Sequence, residues 1–243
     1  MLYTKYVFKF VLALIMASFT LNSQAADFED CMMIYRALHK AQKDGENVET
    51  GLEAYANSCL EWSKEQSVNQ YAISLHAVSV YYRNLEKYEK QLPLLKKMFE
   101  IAPDTRADYW TQIELALAYR QTKQYEQAIE LLKSMLDKEG GSMPIYYHLA
   151  LTYFDMKDYQ KTVDSITLGL PYQDDYFGAY WYRALAFDKL GQKDKAHQDL
   201  ESINAILKVD CGGDAEYCPL GESGQFNQEL TDLLKKYGIS PEL

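Results

Sequence analysis

Histidines, serines and glycine-rich stretches are the residues of this chain in which catalytic chemistry would be sought first. No two histidines have the His-Glu-x-x-His spacing that holds zinc on one helix face, and no Gly-x-Ser-x-Gly elbow or phosphate-cradling glycine loop is present. Gly212-Gly213-Asp214 predicts a turn, because the Asp-x-Asp-x-Asp-Gly pattern of a calcium loop is missing. We therefore expect a protein that is not an enzyme and that uses no metal or cofactor. The histidines are His39, His76, His148 and His197.

The cysteines offer the other reactive chemistry. The chain has four of them, Cys31, Cys59, Cys211 and Cys218. In an exported protein an even number predicts disulfide bonds, and three connectivities are possible. We favour Cys31–Cys59 and Cys211–Cys218, because each pair lies within one local segment. A structural zinc site is the less favoured alternative, since the last two cysteines lack the short spacing of common zinc ligands.

The N-terminal residues have the organisation of a secretory signal. Lys5 and Lys9 give a positive start, and an apolar run from Phe10 to Leu21 follows. This run has 12 residues, whereas a membrane-spanning helix needs about 20. Ser23-Gln24-Ala25 then offers the small residues of a cleavage site. We expect cleavage after Ala25 and a periplasmic protein, and an uncleaved membrane anchor is the alternative.

The acidic balance of the chain argues against two classes of partner. The formal net charge at pH 7 is −10, and it becomes −12 when the signal is removed, because the signal contains two lysines and no acidic residue. Such a surface repels phosphate backbones and anionic lipid headgroups. Nucleic acid is therefore not an expected partner. After cleavage no segment is apolar enough to span a membrane.

A step of 34 residues organises the middle of the chain. Tyr119, Tyr153 and Phe187 follow one another at this step, each at the end of a segment rich in leucine and alanine. The helical periodicity around each aromatic residue predicts two amphipathic helices per step, joined by a short turn such as Gln121-Thr122-Lys123. A small side chain three residues before each aromatic would let the two helices cross at the usual distance of about 8–10 Å. These small residues are Ala116, Ala150 and Ala184.

This pattern resembles that of the tetratricopeptide repeat family. One copy carries Leu115, Ala116, Tyr119, Tyr125, Ala128 and Leu132 at the family's positions. The resemblance covers about residues 71–208. It implies an all-α fold, a right-handed α-solenoid of antiparallel helix pairs with helical N- and C-terminal caps.

The copy around Tyr82 departs from the family's pattern. Ser79 and Gln91 replace the usual small residues, and Pro93 falls inside its second helix. The step from Tyr82 to Tyr119 is 37 residues, three more than the period. We interpret residues 104–106 as an insertion.

Both ends of the chain abandon the period. Residues 27–43 and 48–62 predict a helix pair that caps the N-terminal end, and residues 209–218 predict a loop. A final helix over about 225–237 has Leu230, Leu233 and Leu234 on one face. The predicted organisation is a signal at 1–25, an N-terminal helix pair at 26–66, repeats at 67–208, and a disulfide loop with a capping helix at 209–243.

The resemblance also implies a partner-binding face on the first helix of each pair. Its aromatic residues and arginines are the types that dominate binding hot spots, and such a face would take a helix or an extended peptide. Core packing of these side chains and coverage by the C-terminal helix are the alternatives. The predicted face comprises His76, Arg83, Trp110, Ile113, Leu117, Arg120, Tyr147, Leu151, Phe154, Trp181 and Leu185.

Together these patterns predict a non-catalytic protein–protein interaction scaffold or adaptor of the cell envelope. The lysine and asparagine with which some relatives clamp a C-terminal carboxylate are absent, so binding of chaperone tails is not expected. Two alternatives stay open. One is a structural protein that associates with itself, and the other is a module that binds peptidoglycan or another glycan on its many tyrosines. The oligomeric state is not predicted.

Overall fold

The computed structural model describes residues 49–102, 109–210 and 224–239. These residues form α-helices, short turns and one 3-10 turn, with no strand among them. The all-α fold class is therefore confirmed. The signal, the first N-terminal helix, the insertion at 104–106 and three of the four cysteines lie outside the described residues. Cys59 is buried, and its pairing with Cys31 stays a prediction.

The chain divides into two compact units, residues 1–107 and 108–243. In the first unit the described helices are α1 (Glu49–Lys64), α2 (Val68–Asn84) and α3 (Tyr88–Ile101). α2 packs against both α1 and α3. A capping box begins α2, because the Ser67 side chain accepts a hydrogen bond from the Gln70 backbone N–H and Gln70 reaches back to Ser67.

The crossing of α2 and α3 contains the two polar residues that the sequence analysis identified. Ser79 and Gln91 are both completely buried. The Ser79 hydroxyl donates to the backbone oxygen of His76 at 2.7 Å. Neither polar atom of the Gln91 amide has a hydrogen-bond partner among the described residues. Leu75 and Leu95 supply the surrounding apolar core of this unit.

The second unit contains seven described helices, and the first six form three antiparallel pairs. In each of the pairs α4–α5, α6–α7 and α8–α9 the two helices pack against each other, and the first helices of successive pairs also touch. A 3-10 turn, Leu170–Tyr172, extends the second helix of the middle pair. The helices are α4 (Tyr109–Gln121), α5 (Tyr125–Glu139), α6 (Met143–Asp155), α7 (Tyr159–Gly169), α8 (Phe177–Lys189), α9 (Lys193–Asp210) and α10 (Gly224–Lys236).

The small residues and the aromatic residues of the 34-residue step have the predicted places. Ala116, Ala150 and Ala184 are all buried at 1% exposure or less. Tyr153 packs into the core of the preceding pair with Ile113 and Leu132. The step therefore sets both the close crossing within a pair and the contact between pairs.

The turns between paired helices share one backbone conformation in both units. Glu86, Lys123 and Lys157 have φ values of 57°, 61° and 63°, and Gly191 has 73° at the corresponding place in the last pair. These angles lie in the left-handed region, where a side chain costs about 1–2 kcal/mol. The turn geometry is thus kept even where the residue is not glycine.

α10 occupies the place that the first helix of a further pair would take. Its Leu230, Leu233 and Leu234 pack with Trp181 of α8 and with Leu200 of α9. A polar latch adds to this contact: Lys236 Nζ donates to the Asp188 carboxylate at 2.7 and 2.8 Å, and Tyr237 Oη donates at 2.6 Å. The predicted C-terminal helix is thus present, and it covers α8 and α9.

Candidate functional site

An aromatic patch lies where α6 and α8 meet in the second unit, formed by Tyr147, Phe154, Tyr176 and Tyr182. All four side chains are half-buried. Their rings meet edge to face: the centroids are 4.9 Å apart for Tyr147–Tyr176, 6.0 Å for Tyr147–Tyr182 and 5.2 Å for Phe154–Tyr182. Such contacts hold aromatic rings in fixed orientations. The patch is therefore ordered before anything binds to it.

The helices fix these four rings in different ways. Tyr147 and Phe154 are seven residues apart on α6 and so share one face of that helix. Gly178 lies against the Tyr147 ring, where a side chain would collide with the Tyr147 hydroxyl. Tyr176 stands at the N-terminal boundary of α8, and Tyr182 lies in its middle. The glycine thus lets the start of α8 approach α6 closely.

Arg120, in the last turn of α4, supplies a positive charge at the patch. Its side chain is only 12% exposed, and its Nε lies 3.6 Å from Asp155 Oδ2. That separation is too long for a hydrogen bond, and the buried Nε has no hydrogen-bond partner in the described part of the chain. The positive charge acts on the pKa values of Tyr147, His148, Asp155 and Tyr182.

Burial controls the protonation states around Arg120. It raises the pKa values of Tyr147, Tyr176 and Tyr182 above their usual value of 10, and Arg120 opposes this rise only for the first and the last. The pKa of His148 falls to about 4, first because of burial and second because of Arg120. At neutral pH the tyrosines and His148 are therefore uncharged. The site combines apolar rings, hydroxyl donors and one cation.

The structure separates the predicted binding residues into buried and accessible ones. Ile113, Leu151 and Trp181 are buried, which agrees with the packing alternative, and Trp110 is 63% exposed. His76 and Arg83 belong to the first unit, and the patch residues belong to the second. The binding role of the whole set stays a prediction. The half-buried members are His76, Arg83, Leu117, Arg120, Tyr147, Phe154 and Leu185.

Trp181 shows how the C-terminal helix changes the predicted face. Its side chain is 3% exposed and lies in one apolar cluster with Leu230 and Leu233 of α10. Leu185 packs at the edge of the same cluster. The alternative in which the C-terminal helix covers part of the face therefore describes these two residues. Tyr182 of the patch packs at the edge of the same cluster.

Sequence reasoning missed Tyr176, Tyr182 and Asp155. The residues 34 positions before the two tyrosines are Ser142 and His148, so neither tyrosine repeats. Tyr182 is the direct neighbour of Trp181. Its ring meets that of Tyr147 and also packs at the edge of the cluster that Trp181 forms with α10. A search for aromatic residues beside the repeat positions, rather than only on them, could have found it.

A second concave region lies between α7 and α9, with a volume of about 670 Å³. Arg183 forms part of its lining and donates two hydrogen bonds to Asp199, at 2.8 and 2.7 Å, and one to Thr167 at 3.2 Å. This arginine ties α8 to α9 and to α7. These hydrogen bonds give Arg183 a structural role.

The described residues contain no group of three or more histidines, cysteines or carboxylates placed to hold a metal ion. None of the described helices is both long enough and apolar enough to cross a membrane.

Comparison with known proteins finds similarity in fold. A family model described as anaphase-promoting complex, cyclosome, subunit 3 matches residues 84–167. No curated protein matches the chain in sequence. BtubC (BKLC) from P. vanneervenii is similar with a TM-score of 0.61 and 15% identity over 76% of this chain and 81% of that one.

Two structures of MamA are also similar. The RS-1 ArsTM double mutant has a TM-score of 0.57 and 13% identity, over 74% of this chain and 96% of that one. MamA residues 41 to the end, from Desulfovibrio magneticus RS-1, has a TM-score of 0.54 and 14% identity, over 76% and 98%. At these identities the matches establish the stacked helix-pair fold.

Proposed function

We propose that this chain, a tetratricopeptide repeat protein by its fold, is a non-catalytic scaffold that binds a peptide or helix of another protein at the aromatic patch. The observation that carries the proposal is the patch itself. Four half-buried rings are fixed by edge-to-face contacts and lie beside Arg120, whose buried Nε has no hydrogen-bond partner among the described residues. Tyrosine and arginine are enriched among residues that dominate binding energies.

Preorganisation favours binding at this surface. The Tyr147 ring already touches Tyr176 and Tyr182, so little side-chain freedom is lost when a partner covers them. Ordering a mobile side chain at an interface costs about 0.5–1.5 kcal/mol. A partner that covers the patch therefore retains most of the free energy of burying the rings.

The cell envelope is the proposed setting. The support is the basic start, the short apolar run and the small residues before Ala26, together with the four cysteines of an exported chain. We propose that the partner is an envelope protein.

Crosslinking in cells tests this function. The full chain would carry Tyr176→Ala and Tyr182→Ala, and the crosslinked proteins would be identified by mass spectrometry. Tyr172→Ala is the matched control, because Tyr172 is exposed and stacks on Tyr146 outside the patch. We expect the double variant to lose a partner that the control retains, with equal helicity by circular dichroism. A full set of crosslinked proteins from a normally helical double variant would rule out the patch as the binding site.

Glycan binding is a second candidate, favoured by Tyr172. This residue is 56% exposed, and its ring stacks on Tyr146 at 5.9 Å and 26°. An exposed stacked ring is a suitable platform for a sugar face. Co-sedimentation with peptidoglycan would support this candidate if Tyr172→Ala abolished it and the patch variant did not.

A further inference from the structure

Arg120 differs from the other buried arginine of the second unit in how its charge is satisfied. Arg183 is 15% exposed and makes a two-point contact with Asp199, with N–O distances of 2.7 and 2.8 Å. Arg120 is equally buried, yet its nearest carboxylate oxygen is 3.6 Å away. Its buried Nε has no hydrogen-bond partner among the described residues. Arg183 thus has a complete contact with its carboxylate, whereas Arg120 has an incomplete one.

An incompletely paired guanidinium in such a place has a strong preference for one kind of ligand. A buried charge without a close partner is costly. The guanidinium has five N–H donors in a planar fork, which suits a carboxylate that approaches along its edge. Asp155 uses little of this capacity, since it stays at 3.6 Å and is 41% exposed. The Arg120 guanidinium therefore has N–H donors left for a second carboxylate.

The groups around Arg120 define what else the ligand meets. Tyr147 and Tyr182 are neutral hydroxyl donors, because burial raises their pKa values. Among the described residues, Asp155 and Glu229 are the negative groups whose charges act on Tyr182. The ligand's carboxylate would thus face one cation and two neutral donors, with apolar ring surface beside them and the exposed Asp155 and Glu229 nearby.

α10 shows the type of segment that fits next to this site. It packs leucines against α8, and the Glu229 carboxylate, adjacent to Leu230, acts electrostatically on Tyr182. The acidic group here comes from a side chain within a helix, not from a chain end. A partner helix lying beside α10 would bury its apolar side chains on the patch in the same manner.

Resting on the interaction function proposed above, we propose that Arg120 receives an aspartate or glutamate side chain from inside the partner segment, whose neighbouring apolar side chains pack on the aromatic patch. The partner is thus an amphipathic peptide or helix with an acidic residue next to its apolar face. Arg120 acts as the specificity-determining residue, and the rings provide apolar contact area.

Peptide selection on the full chain tests this proposal. One random library would display its peptides internally, and a second would end in a free carboxyl group. Selection would use the wild type, Arg120→Gln and the control Lys133→Gln, which removes an exposed positive charge from α5. We expect the internal library to be enriched in aspartate or glutamate on the wild type and on the control, and not on Arg120→Gln.

A double-mutant cycle then measures the pair itself. One selected peptide and its Glu→Gln form would be titrated against the wild type and Arg120→Gln. We expect each single change to weaken binding by at least tenfold and the second change to add little. If Arg120→Gln does not fold, Arg120→Lys takes its place, with a smaller loss because lysine lacks the planar fork.

The outcomes separate this inference from the proposed function. Selected peptides that bind the patch without an acidic preference, or that lose nothing on Arg120→Gln, would overturn the role of Arg120 and leave the scaffold function standing. Enrichment confined to the library with free carboxyl ends would overturn the internal side chain in favour of a chain end. A failure to select any peptide would contradict both proposals.

Discussion

The α2–α3 crossing of the first unit and the α4–α5 crossing of the second use corresponding residues of opposite character. Ser79 and Gln91 occupy the places that Ala116 and Ala128 take in the second unit, and all four are buried at 1% exposure or less. Ser79 satisfies its hydroxyl within its own helix at 2.7 Å, whereas the Gln91 amide has no described partner. The same helix-pair geometry thus forms around an apolar contact and around a polar one.

This difference shows which residues stabilise the helix crossing in each unit. Burying an amide without a hydrogen bond costs about 1–3 kcal/mol, so the first crossing is maintained by the apolar residues around it, Leu75 and Leu95. Alanines at the helix crossing therefore stabilise the second unit, whereas the first unit forms its crossing without them.

Transfer of the polar residue to the second unit should have the largest effect. Ala128→Gln would insert a long polar side chain at a position that is completely buried. Overpacking and an unsatisfied amide each cost about 1–3 kcal/mol, so we expect a loss of about 3–5 kcal/mol in the free energy of unfolding. Urea unfolding followed by circular dichroism measures it. An unchanged midpoint would mean that the two crossings tolerate glutamine equally.

Acid should destabilise the second unit through His148. Its pKa falls from 6.5 to about 4 on folding, because of burial. The unfolded chain therefore binds the proton first, and the stability from neutral His148 is lost as the pH falls from about 6.5 to 4. About 1.4 kcal/mol per pKa unit gives a loss of about 3 kcal/mol. The corresponding residue of the first unit is Ala77, which cannot titrate.

Urea midpoints at several pH values between 7 and 4 would measure this loss, with His148→Gln as the comparison. The variant should show a flatter pH dependence over that range. Equal slopes for the variant and the wild type would show that His148 is not the titrating group.

Removal of the buried amide from the first unit should stabilise the protein. Gln91→Leu keeps a similar volume and removes two polar atoms that have no described partner. We expect a gain of about 1–3 kcal/mol, visible as a higher melting temperature. Gln91→Glu is the matched control and should destabilise, because it buries a charge. A loss of stability in the leucine variant would reveal a hidden partner for the amide.

The turns should respond alike in the two units, with the smallest effect. Glu86 and Lys123 both have left-handed backbones, at φ of 57° and 61°. Glycine relieves the side-chain strain but adds freedom to the unfolded chain, so Glu86→Gly and Lys123→Gly should each stabilise by about 0.5–1 kcal/mol. Thermal unfolding of both variants measures this. Clearly unequal shifts would show that the turns differ as the crossings do.

The sequence predicts the repeated parts of this fold well because each depends on local residues. Helix pairs, the turn at Lys123 and the alanine crossings follow from periodicity within about 34 residues. The candidate site is less predictable. Trp110 and Trp181 are both tryptophans of the predicted face, yet one is 63% exposed and the other 3%. Trp181 takes the repeat position of Ile113, which is also buried, and it packs with α10, a helix outside the period, whereas Trp110 lies three residues before that position.

The patch was predicted only in part for the same physical reason. Tyr147, Phe154 and Arg120 lie at repeat positions and were identified. Tyr176 and Tyr182 have no counterparts one step earlier, so only the packing of α8 against α6 brings them to Tyr147. The incomplete pairing of Arg120 depends on a distance to Asp155, which no sequence pattern contains.

α10 also covers the open end of the stack of helix pairs. A stack of identical helix pairs has no intrinsic end, since the last pair exposes the same apolar surface that it would offer to a successor, and another copy of the chain could dock there and continue the stack indefinitely. α10 fills that surface with its three leucines and fastens itself through Asp188. α10 therefore covers the apolar surface on which a further helix pair would pack.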